Sequence, residues 1–106
     1  MSDKKKELGD YQTPLNFANE VVKYIKDNYD FMPDFIIEPN CGIGNFFKAA
    51  EQYYKSKMIG IEINKDYSEI AKRNNPKAVI CNQSIFEYEW EENIKKFDNV
   101  LILGNP

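Results

Sequence analysis

The residues that most clearly indicate a binding site are two glycines and, about 20 positions later, a carboxylate. Gly42 and Gly44 form a Gly-x-Gly pair, and glycine lets a backbone turn sharply and lets a ligand approach without a Cβ in the way. Glu62 is placed to accept hydrogen bonds from ribose hydroxyls. Ile63 would then lie against an adenine ring. The spacing therefore predicts a site for a ligand that contains a nucleoside.

These residues need a framework, and the sequence predicts a strand before each of them. Residues 34–37 and 57–61 are short apolar runs typical of buried strands, and further strands are predicted over residues 78–81 and 99–103. Stretches with helical spacing alternate with these runs. Apolar strands that alternate with helices predict a parallel sheet covered on both faces.

The predicted fold class is α/β, namely half of a doubly wound, Rossmann-like sheet. Four parallel strands in the order 3-2-1-4, joined by right-handed crossovers, carry helices on both faces. Ligands of such sheets bind beyond the carboxyl ends of the strands. The glycine loop, residues 38–46, follows the first strand and is therefore the expected cofactor loop.

The first helix is predicted from a cap signal. Thr13 is expected at the N-cap and Pro14 at the first helical position. The apolar face expected to pack on the sheet is formed by Phe17, Val21, Tyr24 and Ile25.

Composition limits the chemistry and the partners. The 106 residues fit one domain, with residues 1–8 expected to be a flexible tail. There is no histidine, and the two cysteines cannot form a four-ligand zinc site, so neither an imidazole base nor a metal is expected. The net charge of −3 predicts a poor grip on a DNA backbone. No apolar run is long enough to cross a bilayer, and a reducing cytoplasm is the expected location.

Taken together, these segments resemble one family. Glu38-Pro-x-Cys-Gly-x-Gly-x-Phe46 resembles the cofactor loop of adenine-specific DNA methyltransferases of the restriction–modification type. The segment over residues 9–14, which contains Tyr11-Gln-Thr-Pro, is similar to the N-terminal segment that closes over the methionine end of the cofactor in that family. Residues 85–88 resemble the stretch after the third strand, and residues 103–106 the start of an Asn-Pro-Pro-aromatic motif. The resemblance covers nearly the whole chain.

The resemblance implies S-adenosylmethionine as the cofactor and a role for each matching residue. Glu62 would hold the ribose, and Ser84 stands where an Asp usually accepts a hydrogen bond from the adenine amine. The uncharged hydroxyl implies weaker adenine recognition, for which Asn82 or Gln83 could substitute. The residues implied at the methionine end are Tyr11, Thr13, Glu38, Pro39, Asn40, Cys41, Gly42 and Gly44.

The same resemblance implies that Asn105 and Pro106 are catalytic and that the chain stops inside the catalytic motif. Residues 1–106 are then a partial cofactor-binding domain, inactive alone, of an enzyme that methylates the exocyclic amine of adenine. DNA would be gripped by parts of the parent protein that are absent here. The last strand, apolar and uncharged between residues 99 and 103, is expected to be an exposed edge through which two copies could pair.

Alternatives remain open at this point. One alternative is a methyltransferase that acts on protein glutamine or on RNA, because such enzymes share the Asn-Pro-Pro-aromatic motif. Another is a non-catalytic cofactor-binding module, which would need no catalytic motif. A nicotinamide-binding domain is disfavoured because Phe47 stands where G-x-G-x-x-G requires glycine.

Overall fold

The computed structural model describes residues 12–104, in which helices and strands alternate along the chain. The predicted tail over residues 1–8 lies outside the described residues, as do Tyr11, Asn105 and Pro106. In chain order the elements are α1 (Leu15–Asn28), β1 (Phe35–Glu38), α2 (Asn45–Ala50), β2 (Lys57–Ile61), α3 (Lys65–Asn74), β3 (Val79–Cys81), α4 (Trp90–Ile94) and β4 (Val100–Ile102).

The four strands form one parallel sheet in the order β3-β2-β1-β4, which confirms the predicted order. Strand β1 is central and all four of its residues are buried, as its continuous apolar run predicts for a strand covered on both faces. Ile37 lies opposite Ile59 of β2 and Ile102 of β4. The carboxyl ends of these strands therefore meet at one edge of the sheet.

The sheet separates two apolar clusters, one on each face. Side chains of α1, α2 and α3, including Ala18, Phe47 and Ala71, pack with Ile36 on one face. On the other face, α4 and the segments around it cover Phe35, whose ring stacks on Phe97 with centroids 4.2 Å apart. Helices thus cover both faces, as predicted. Burial of each large apolar side chain contributes about 1.5–3 kcal/mol.

Helix α1 begins one residue later than predicted. Pro14, not Thr13, is the N-cap residue: its ψ of 145° is extended, and no side chain caps the helix. The carbonyl of Pro14 accepts the first helical hydrogen bond, from Ala18 at 3.0 Å. The proline ring fixes φ alone, so it is compatible with this position as well as with the first helical one. Thr13 is left outside the helix, where it contacts the glycine loop.

The buried face of α1 agrees only in part with the predicted one. Val21 and Ile25 are partly buried and pack against the core, whereas Phe17 and Tyr24 are 51% and 61% exposed. The fully buried residues of this helix are Ala18 and Val22. The buried pair faces α2, where Ala49 belongs to the same cluster. Small side chains let two helices approach closely, so the small residues, and not the aromatic ones, lie at the contact. Within residues 12–104, no helix is long and apolar enough to span a membrane.

Candidate cofactor site

The candidate site lies at the carboxyl edge of the sheet, where residues predicted to bind the cofactor lie at or just after the ends of three strands. Glu38 ends β1, Glu62 follows β2 directly, and Ser84 follows β3. Because the strands are parallel and adjacent, the side chains beyond their ends share one edge. The topology thus brings together residues that are far apart in sequence.

The glycine loop has the sharp turns that its sequence predicts. Gly42 has a φ of 55° and Gly44 a φ of 85°; within residues 12–104 no other residue has a positive φ. The Gly44 N–H donates to the Cys41 carbonyl at 2.9 Å, and the Cys41 N–H donates to the Ile61 carbonyl at 3.0 Å. These bonds close the turn and tie it to the end of β2.

The space beside the two glycines is filled by the protein itself, which corrects the expectation that their missing Cβ atoms leave room for a ligand. A Cβ on Gly42 would overlap Oε1 of Gln12. A Cβ on Gly44 would overlap Nδ2 of Asn75 and lie 3.3 Å from the Cβ of Ala71. The missing side chain of Gly42 therefore leaves room for the Gln12 side chain, and that of Gly44 leaves room for the C-terminal end of α3. The sequence pattern could not show this, because both neighbours are distant along the chain.

Glu62, predicted to bind ribose hydroxyls, is held in place by the glycine loop. Its Oε1 accepts a hydrogen bond from the Gly42 N–H at 2.8 Å, and its Oε2 accepts one from the Asn64 N–H at 2.9 Å. Each oxygen keeps a second lone pair, because a carboxylate has about four acceptor positions. The half-buried carboxylate is thus fixed in orientation and still able to accept from a ligand.

Glu38 is buried, at 4% exposure, and its Oε1 has no hydrogen-bond partner among the described residues. Burial, and then the nearby charge of Glu62, raise the pKa of Glu38 to about 9 from its ordinary value of 4.5. The carboxyl group is therefore protonated at neutral pH. Sequence reasoning placed Glu38 in the site but did not show that it would be neutral there.

Cys41 and Cys81 are both free thiols. Strand β2 lies between the strands that precede Cys41 and contain Cys81. Burial raises the pKa of the Cys41 thiol, and the charges of Glu38 and Glu62 raise it further. Cys41 is thus an apolar packing residue of the loop and not a nucleophile.

The turns after β2 and β3 hold the residues predicted for the adenine. Ile63 is 71% exposed, and the Asn82 amide donates to the carbonyls of Glu62 and Ile63 at 2.9 and 3.0 Å. Ser84 Oγ accepts a hydrogen bond from the Phe86 N–H at 3.1 Å and keeps one lone pair free for an incoming donor. Both donors of Asn82 serve the β2 turn, so this residue orients Ile63.

An N-terminal strap crosses the glycine loop. Oε1 of Gln12 accepts a hydrogen bond from the Ile43 N–H at 3.1 Å, and the carbonyl of Thr13 accepts one from Nδ2 of Asn45 at 2.7 Å. The structure thus brings Thr13 to the loop, as the resemblance implied. Sequence reasoning missed Gln12 and Asn45, although both stand within motifs that it quoted. Asn40 is exposed and Pro39 half-buried at the outer side of the same loop.

Two curated proteins are similar to this chain over nearly all of its length. The type II methyltransferase M.NspV of Nostoc sp. is 37% identical over 95% of the chain, which corresponds to 22% of the relative. The type II methyltransferase M.CvrRI of Paramecium bursaria Chlorella virus XZ-6E is 34% identical over 96% of the chain and 26% of the relative. The chain thus spans about a quarter of the length of these relatives. No protein-family model matches it.

Solved structures share the fold. A Pyrococcus horikoshii protein proposed to be an RNA methyltransferase superposes with a TM-score of 0.70 at 19% identity, over 91% of this chain and 47% of that one. The plantazolicin methyltransferase BpumL, crystallised with S-adenosylhomocysteine, gives 0.67 at 24% identity, over 94% and 41%. That ligand is the demethylated product of S-adenosylmethionine, the predicted cofactor. The similarity to M.NspV and M.CvrRI confirms the predicted resemblance to restriction–modification methyltransferases: this chain is similar to the matching part, about a quarter, of two type II methyltransferases.

Proposed function

We propose that this chain is the S-adenosylmethionine-binding part of an enzyme that methylates the exocyclic amine of adenine in DNA. One observation carries the proposal: the glycine loop after β1 is bonded to the carboxylate after β2, through the Gly42 N–H and Glu62 Oε1 at 2.8 Å. This arrangement joins the two halves of a nucleoside-binding site at the carboxyl edge of a parallel sheet. Similarity to two type II methyltransferases supports a methyl donor as the ligand.

Different residues at this edge would bind different parts of the cofactor. Thr13 and the glycine loop would hold the methionine portion, whose ammonium group would favour the ionised form of the Glu38 carboxyl group, which is protonated in the ligand-free protein. Glu62, fixed by two backbone N–H groups, would accept from the ribose hydroxyls. Ile63 is exposed enough to lie against the adenine, and the Ser84 hydroxyl has a lone pair for the adenine amine. S-adenosylmethionine supplies an electrophilic methyl group when bound.

Asn105 and Pro106 are proposed to be catalytic on the basis of motif resemblance. Strand β4 pairs with β1, so Leu103 and Gly104 leave the sheet at the edge where the glycine loop lies. The adenine amine is a poor nucleophile because its lone pair is delocalised into the ring. The base is first extruded from the duplex. An Asn side-chain oxygen and a Pro carbonyl then accept hydrogen bonds from the amine, and this directs its lone pair toward the methyl group.

DNA is favoured over the alternative substrates by the relatives. The similarity that reaches 37% identity is to a type II methyltransferase, whereas the resemblance to the P. horikoshii protein, at 19%, shows the fold alone. RNA, protein glutamine and a purely cofactor-binding role are the alternatives that the experiment below must exclude. We propose that most DNA contacts come from outside residues 1–106, since this chain has a net charge of −3. We also propose that the protein acts in the cytoplasm.

Methyl transfer by the longest gene product that carries residues 1–106 tests the substrate. With labelled S-adenosylmethionine and a mixture of DNA, RNA and protein, the label should enter DNA and appear as N6-methyladenine after digestion to nucleosides. The same product with Asn105→Ala is the control, and it should lose the label. Label in RNA or protein alone, or on cytosine, would contradict the proposed substrate.

We also propose that the chain pairs with a second copy through β4. Within residues 12–104, β4 has a neighbour only on its β1 side, and Ile102 is 62% exposed. An adjoining groove of ≈ 540 Å³ is almost wholly apolar, and is lined by Ile37, Pro39, Ile85, Phe86, Trp90, Ile94 and Ile102. An open apolar edge is a template for strand addition.

Light scattering at increasing protein concentration measures this pairing. The wild type should approach twice the monomer mass, and Ile102→Lys should remain monomeric because the added charge cannot be buried in a pairing edge. Val79→Lys is the matched control, since Val79 is an exposed residue of β3, the opposite edge strand, and this variant should still pair. A wild type that stays monomeric throughout would refute the dimer.

A further inference from the structure

Asn75 is a polar side chain with no solvent exposure, at the C-terminal end of α3. Its Nδ2 donates two hydrogen bonds, one to the carbonyl of Ala71 at 3.0 Å and one to the carbonyl of Gly44 at 3.1 Å. The first bond stays within the turn that ends α3. The second crosses 31 residues of sequence to the glycine loop. Asn75 thus links the end of one helix to the loop of the candidate cofactor site.

The Asn75 backbone is fixed as firmly as its side chain. Its N–H donates to the Ala71 carbonyl at 2.9 Å, and its carbonyl accepts from the Ala78 N–H at 3.0 Å. The first bond ties the residue to α3, and the second ties it to the turn that leads into β3. The amide therefore presents a rigid donor to the loop.

Gly44 and the Asn75 amide interlock. A Cβ on Gly44 would overlap Nδ2 of Asn75, so the missing side chain is what lets the amide reach the Gly44 carbonyl. With a φ of 85°, Gly44 sits at the point where the loop becomes α2. Fixing its peptide fixes the direction in which the chain leaves the loop.

Packing alone does not account for an asparagine at this place. Oδ1 of Asn75 is buried without a hydrogen-bond partner among the described residues, and a buried unpaired oxygen destabilises a fold. An apolar side chain would fill the space without that cost. What the amide adds is a hydrogen bond to Ala71 within the same helix end and a hydrogen bond to Gly44, and only the second reaches the glycine loop.

We propose that Asn75 is a positioning residue for the cofactor: its amide holds the Gly44 peptide, and with it the glycine loop, in the shape that receives S-adenosylmethionine. This inference rests on the proposed cofactor-binding function. Asn75 is completely buried, so it acts through Gly44 and does not touch the ligand.

Calorimetric titration of the full chain with S-adenosylmethionine and S-adenosylhomocysteine tests this role. Asn75→Ala should raise the Kd for both about tenfold, the expected effect of one buried hydrogen bond. Ser68→Ala is the matched control. Ser68 is also a buried polar residue of α3, but its hydroxyl donates to the Lys65 carbonyl of the same helix and not to the loop. This variant should bind like the wild type even if its melting temperature falls.

A second variant covers the case in which Asn75→Ala does not fold. Asn75→Leu keeps the approximate shape of the side chain, removes the NH₂ group and leaves no buried unpaired oxygen, and it should weaken binding to a similar extent. If folded Asn75 variants bind as tightly as Ser68→Ala, the residue is merely structural and the positioning role is wrong. If the wild type itself binds neither ligand, the proposed function fails, and the role of Asn75 fails with it.

Discussion

Gly44→Val should abolish binding of S-adenosylmethionine by this chain. The φ of 85° lies in the left-handed region, which a β-branched residue adopts only at a cost of about 1–2 kcal/mol. The new Cβ would also overlap the Asn75 amide and crowd Ala71. The loop must then move away from α3, and its bond to Glu62 through Gly42 would be lost with it. A loss of affinity of at least about two orders of magnitude is expected, since each 1.4 kcal/mol is tenfold.

Isothermal titration at millimolar ligand measures this loss. Lys55→Val, an exposed substitution that introduces the same side chain away from the site, should bind like the wild type. Circular dichroism should show that both variants keep the α/β fold. A folded Gly44→Val protein with wild-type affinity would mean that the glycine loop does not shape the site.

Glu38→Gln should stabilise the ligand-free protein at pH 7 and weaken its affinity for the cofactor. The folded chain holds the Glu38 carboxyl protonated, with its pKa raised to about 9 by burial and by Glu62, while the unfolded chain has it ionised above its ordinary pKa of 4.5. Glutamine resembles the protonated acid but needs no proton. We expect the free energy of unfolding to rise by on the order of 2 kcal/mol at pH 7.

The same pKa shift sets the pH dependence of the wild type. Below about pH 4.5 both states carry the proton, so the contribution of Glu38 to stability is fully present there. Between about 4.5 and 9 the folded state binds more protons than the unfolded state, so stability falls as the pH rises. Glu38→Gln should remove this part of the slope.

Affinity should change in the opposite direction. Glutamine cannot take up the negative charge that a bound ammonium group would favour, so the Kd for S-adenosylmethionine should rise about tenfold, as for loss of one charge-assisted hydrogen bond. Denaturant unfolding from pH 5 to 9 gives the stability change, and titration gives the affinity. Glu69→Gln, the same change at an exposed residue of α3, should alter stability by less than about 0.5 kcal/mol. A less stable Glu38→Gln protein would show that the carboxylate is charged and paired.

The order of the strands was predictable because it depends on local patterns. Four short apolar runs alternate with helices, and the parallel order 3-2-1-4 is the doubly wound arrangement, in which right-handed crossovers reverse their direction after β3 and so place helices on both faces. The predicted places of Gly42 and Glu62 follow from the same topology, since each comes directly after a strand. Their mutual hydrogen bond joins two segments that this topology makes neighbours.

What could not be predicted depends on contacts between distant segments. Periodicity marked Phe17 and Tyr24 as core residues, but the packing partner of α1 selected the smaller Ala18 and Val22. Likewise, Asn75 precedes a proline, so its local sequence predicts only that a helix ends there. Only the folded chain shows that its side chain reaches Gly44.

Titration of the wild-type chain with S-adenosylmethionine is the most direct test of the proposed cofactor site, with NAD as the competing ligand. S-adenosylmethionine and S-adenosylhomocysteine should each bind with one-to-one stoichiometry and raise the melting temperature, and NAD should do neither. Stabilisation by NAD alone, or no heat with either methyl-donor ligand at millimolar concentration, would contradict the account.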